Sequence, residues 1–94
     1  MTITVTQKVI LADNILVEDL EEESVLLNLD TLIYTSQDDV GTRMLKVLIE
    51  SSSIDQAYQV LLKEYNVDPE LLKKDLLSHI EQLIEQNLVE IKDV

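Results

Sequence analysis

The chain has 94 residues, no cysteine, one glycine, one proline and a formal net charge of −12 from 19 acids and seven bases. Without cysteine there is no disulfide, thiolate metal site, iron–sulfur cluster or thiol nucleophile, and a lone histidine, His79, cannot form a two-histidine metal centre. The acidic balance opposes DNA and anionic membranes, which are bound through Lys and Arg, and points to neutral or basic peptides and proteins as partners.

Met1–Lys8 lacks the basic start and apolar stretch of a secretory signal. The longest apolar run, Val9–Ala12, is far shorter than the roughly 18 residues of a membrane span. At 46% hydrophobic the chain has enough apolar side chain for a core. It reads as one soluble, cytoplasmic domain over residues 1–94, with 1–13 either an N-terminal strand or a tail.

Residues 2–6, Thr-Ile-Thr-Val-Thr, alternate strictly and favour an extended segment or tail. Asn14–Leu20 is a strand ending at Glu21-Glu22-Glu23, and Ser24–Leu29 is a second. Asp30-Thr31 forms a two-residue connection to a third, Leu32–Ser36. That turn sets Leu29 opposite Leu32 and Leu27 opposite Tyr34. Leu27, Leu29, Leu32 and Tyr34 then share one face, and Leu26 and Ile33 the other.

After Gln37 the pattern turns helical. Asp38 or Asp39 caps a helix over roughly 39–50, with Val40, Met44, Val47 and Leu48 on one side. Ser53 and Gln56 fit a capping box for a second helix to about Tyr65, lined by Ala57, Val60, Leu61 and Tyr65. Asp68-Pro69-Glu70 starts a third through Leu72, Leu76, Ile80 and Leu83, stopped by a left-handed Asn87. Leu88–Ile91 leaves it as a short extended tail. The prediction is an α+β fold: a three-stranded antiparallel sheet followed by three helices.

Little in the sequence supports catalysis. Glu21-Glu22-Glu23 is explained by a solvated turn, Asp38-Asp39 by capping and Ser51-Ser52-Ser53 by a connector. Asp75 and His79 are four residues apart on the third helix, a spacing that lets them meet and tune a general base. No nucleophile or pocket accompanies them. The expectation is a non-enzyme without metal or cofactor. Two features stay unexplained: the edge candidate Leu32–Ser36, a docking site for another strand, and a surplus of apolar residues on the third helix, among them Leu71, Leu77 and Ile84.

Ser24-Val-Leu-Leu-Asn-Leu-Asp30, Tyr34 and Asp38-Asp39-Val40-Gly41 resemble the PqqD-like family, the RiPP recognition elements. Ala57, Leu61, Tyr65-Asn-Val67, Asp75-Leu76, Ile80, Leu83 and Asn87-Leu88-Val89 extend the likeness over about residues 14–91. Gln37 and Asp38 depart from the family's Leu-Asn, Thr31 and Ser51 or Ser52 replace turn glycines, and His79 replaces an aromatic. The resemblance implies a winged helix-turn-helix-like fold that binds the leader segment of a ribosomally made precursor peptide. The leader adds as a strand to the third strand and lies against the third helix. By position, the resemblance assigns peptide binding to Leu32, Ile33, Tyr34, Thr35, Leu72, Asp75, Leu76 and His79, with Asp75 either pairing a leader Lys or Arg or holding structure.

Among relatives, the compact form is most similar to the leader-binding protein of lasso peptide biosynthesis, which serves a separate leader peptidase. The alternative is the pyrroloquinoline quinone type, which serves a radical SAM enzyme. A winged-helix transcription factor and a structural dimerisation module are the other rivals, and the chain is expected as monomer or homodimer. Residues 1–39 hold nine acids against Lys8 alone, so most of the charge sits with the strands.

Overall fold

The protein was analysed as a computed structural model that describes residues 3–93. In chain order the elements are β1 (Lys8–Leu11), β2 (Ile15–Leu20), β3 (Glu23–Asn28), β4 (Tyr34–Gln37), α1 (Asp39–Glu50), α2 (Ile54–Glu64), α3 (Pro69–Glu85) and β5 (Val89–Lys92). The predicted meander is present as an antiparallel sheet in the order β2-β3-β4. Its register places Leu16 opposite Leu27, and Leu27 opposite Tyr34. Leu26 is fully buried, with Ile15 and Val17 beside it against the core. The sheet therefore covers the helices with one face and turns the other outward. Three helices follow it, giving the α+β, winged helix-turn-helix-like arrangement.

The β3–β4 connection differs from the expected two-residue turn. Asn28 Oδ1 accepts hydrogen bonds from the backbone N–H groups of Asp30 and Thr31 at 2.9 and 3.1 Å. The Leu32 N–H donates to the Asn28 carbonyl at 2.7 Å. These bonds curl the chain early, so Leu32 and Ile33 fall outside the strand, which runs one residue further, to Gln37. Leu32 closes the loop in the left-handed region at φ 61°, a conformation a bulky side chain rarely adopts. The left-handed position is thus Leu32 and not Thr31. Leu27 still faces Tyr34, because opening the loop leaves the pairing register unchanged.

The N-terminal strand falls within residues 1–13 but not on the alternating run. Thr2 lies outside the described residues, and Thr4–Gln7 form a turn closed by a 3.0 Å bond from Gln7 N–H to the Thr4 carbonyl. The strand comes later, as β1, and pairs antiparallel with β5, the segment expected to be a tail. The carbonyls of Val5 and Gln7 accept from the N–H groups of Asp55 and Ile54, both at 2.8 Å. They satisfy donors that the start of α2 leaves free. Lys8 Nζ donates to the carbonyls of Ile49 and Ser51 at 3.0 and 2.6 Å. This brings a cation to the negative end of α1, whose own last turn has no basic residue.

The helix caps follow their sequence signals. Asp38 accepts from Gly41 N–H, Ser53 from Gln56 N–H and Asp68 from Glu70 N–H. Gln56 returns its bond to Ser52, at both N–H and Oγ, rather than to Ser53. Asn87 is left-handed at φ 59° and ends α3 as expected. The core gathers Met44, Leu45, Leu48, Ile54, Ala57 and Leu61 with Leu72, Leu76, Ile80 and Leu83 of α3. Ser24 Oγ and Thr42 Oγ1, both buried, share a 2.8 Å hydrogen bond that ties β3 to α1. Val40 and Val60 are exposed against expectation; Leu45 and Ile54, nearer the centre of each buried stripe, take the core positions. Among the described residues no helix is long and apolar enough to cross a membrane.

Candidate functional site

The site begins with a strand that has one neighbour. β4 pairs with β3 on one side and ends the sheet on the other. The Asn28 N–H donates to the Ile33 carbonyl at 3.0 Å, so these residues form a hydrogen-bonded pair. Antiparallel ladders alternate such pairs, which makes Leu26–Thr35 and Ser24–Gln37 the next two. The backbone donors and acceptors of Tyr34 and Ser36 then point away from β3, along the free edge. They offer a template for an incoming strand.

α3 borders this edge across open space. A cavity of about 440 Å³ lies between the end of β4, the first turn of α1 and the middle of α3. Its wall includes Ser36, Gln37, Asp75, Ser78, His79 and Gln82. A second cavity of about 380 Å³ continues toward the start of β4, with Ile33, Thr35 and Leu88 in its wall. Gln86 belongs to both. The two form one trough along the strand, polar and acidic at one end and more apolar at the other.

His79 is built into the trough by the N-terminus of α1. A Cβ on Gly41 would stand 3.3 Å from His79 Cε1, 3.2 Å from Asp38 Oδ1 and 2.8 Å from Gln37 Oε1. Glycine therefore permits the close approach of α1 and α3 here. His79 Nε2 is buried without a hydrogen-bond partner. Burial holds the imidazole below its ordinary pKa, opposed by a Gly41 backbone group and by the charge of Asp38. The expected partner Asp75 forms no hydrogen bond or ion pair with His79 among the described residues; the ring turns toward α1 instead. No cluster of His, Asp and Glu suited to a metal ion occurs among those residues.

The residues singled out in the sequence separate into three groups. Ile33, Thr35, Asp75 and His79 line the trough. Leu72 and Leu76 belong to the core; their spacing marks the buried stripe of α3, and the trough meets the helix one strip over. The side chain of Tyr34 lies on the outward face with that of Leu27, and Leu32 stands exposed at the loop. Sequence reasoning missed Ser78, Gln82 and Gln86. They recur at four-residue spacing along α3 and its C-cap, a polar line with no apolar signature.

The chain matches the family model described as coenzyme PQQ synthesis protein D (PqqD) over residues 23–89. It belongs to the PqqD family. Among solved structures it is similar to TbiB1 in complex with the TbiA(beta) leader peptide, at 28% identity and a TM-score of 0.81, covering 86% of this chain and 94% of that one. It also shares its fold with lasso peptide synthetase B1 complexed with the leader peptide, at 22% identity and a TM-score of 0.80, covering 88% of this chain and 98% of the other. A search of curated proteins finds no match.

Proposed function

We propose that this chain, a single domain, is a non-catalytic carrier that binds the leader segment of a ribosomally made precursor peptide and presents it to a processing enzyme. The observation that carries this reading is the free edge of β4 beside the α3 trough. The leader adds as a strand, and the backbones of Tyr34 and Ser36 supply sequence-tolerant hydrogen bonds. Side chains on the trough-facing side of the leader settle near Ile33 and Thr35 at one end and near Asp75, His79 and Gln82 at the other. Asp75 and Asp38 favour a leader residue with a basic or donor group at that end.

The likeness to leader-bound lasso synthetase B1 structures favours a leader peptidase as the partner enzyme over the radical SAM enzyme of the quinone pathway. A winged-helix transcription factor is disfavoured by the net charge of −12. The test is titration of a fluorescent leader peptide from the cognate precursor, followed by anisotropy. Saturable binding in the micromolar range or tighter supports the reading; a flat titration at high micromolar protein overturns it.

A further inference from the structure

The outward face of the β2-β3-β4 sheet has no role in leader binding as described above, yet it is apolar. Leu16, Leu27 and Tyr34 form one cross-strand row on it. Leu16 is 56% exposed and Tyr34 66% exposed, and Leu29 and Leu32 extend the patch at the hairpin end with 51% and 69%. The alternation that buries Leu26 toward the helices would ordinarily place polar groups here. Leu32 is also held in left-handed backbone at φ 61°. Such backbone is costly for a bulky residue and gathers at functional positions, and this side chain makes no return through burial.

The rim is acidic. Glu18 lies on the same face one row along, opposite Val25, Asp30 sits in the hairpin loop, and Glu21, Glu22 and Glu23 close the far end. A second copy of the chain would set these carboxylates against their own kind. A partner with an apolar centre and a Lys- or Arg-rich border would meet both features.

We infer that this face is the docking surface for the processing enzyme, through a patch of that apolar, basic-rimmed chemistry. The inference rests on the leader-binding reading and deepens it. The patch is continuous with β4, so a strand added at the free edge places its alternate side chains beside Tyr34 on the same outward face. An enzyme seated there lies next to the leader it must act upon.

Leu16 tests this cleanly, because β2 is two strands away from the peptide edge. Leader affinity and leader cleavage by the cognate peptidase are measured for the wild type, Leu16→Lys and Glu18→Lys, with circular dichroism to establish folding. The expected result is leader affinity within twofold of wild type for both variants, and a tenfold or greater rise in the carrier concentration that half-saturates cleavage. Unchanged cleavage overturns the inference, as does lost leader affinity in Leu16→Lys, which would make the patch part of the peptide site. A wild-type dimer that Leu16→Lys dissociates, with cleavage unaffected, overturns it in favour of a second copy. Failure of the wild type to bind leader is a separate result that removes the underlying reading, and this inference with it.

Discussion

Gly41 and His79 pack more closely than side chains ordinarily do: an added Cβ on Gly41 would lie 3.3 Å from the imidazole Cε1 and 2.8 Å from Gln37 Oε1. Beside this contact Asp38 caps the helix by accepting from the Gly41 N–H, and Gly41 and His79 both line the trough. In Gly41→Ala the helical backbone gains about 0.5–1 kcal/mol, while the end of the Gln37 side chain must move aside and Asp38 and His79 must shift by a few tenths of an ångström. We expect the unfolding free energy to change by less than about 1 kcal/mol, with leader affinity at least fivefold weaker. Denaturant melts and anisotropy read the two separately, and an unaltered affinity contradicts this role for Gly41.

His79 gives stability a defined pH dependence. Burial disfavours the imidazolium, so the folded-state pKa lies below the ordinary 6.5. Its stabilising effect is full above the unfolded value and is lost as pH falls toward the folded one. Relative to His79→Asn, the wild type should lose stability as pH drops from about 7.5 to 5.5. Asp38 and Asp75 remain in both proteins, so the difference isolates the imidazole. Parallel profiles over that range contradict the assignment.

Ser36→Pro addresses the free edge. An edge strand tolerates proline where its N–H faces outward, so the sheet should persist with a near-native circular dichroism spectrum. The variant lacks one donor to an added strand and should bind leader at least tenfold more weakly. Native affinity would show that the leader does not use the Ser36 N–H.

Lys8 is a stability determinant remote from the trough. Lys8→Met removes the cation that caps the Ile49 and Ser51 carbonyls. It should lower the unfolding free energy by about 1–2 kcal/mol, measured by urea melts, with leader affinity unchanged.

Much of this architecture is legible in the sequence, because local chemistry specifies it. Asp38, Ser53 and Asp68 cap the three helices from positions marked by side-chain acceptors, and the alternation around Leu27 and Tyr34 sets the strand register. What escapes is non-local. The pairing of Lys8–Leu11 with Val89–Lys92 closes nearly the whole chain, and neither four-residue strand announces its partner. The β3–β4 loop follows from Asn28, whose side chain binds Asp30 and Thr31, and no glycine marks its left-handed end. On α3 the apolar repeat identifies Leu72 and Leu76, which are core. The trough instead uses the polar line of Ser78, Gln82 and Gln86, whose meaning depends on where β4 lies.

Amide hydrogen exchange at β4, followed by NMR with and without leader peptide, tests strand addition most directly. The N–H of Thr35 faces β3 and should exchange slowly in both states. The N–H groups of Tyr34 and Ser36 should exchange freely in the unbound protein and become protected when leader is added. Saturable leader binding that leaves both of these amides exchanging as fast as before would contradict addition at the β4 edge.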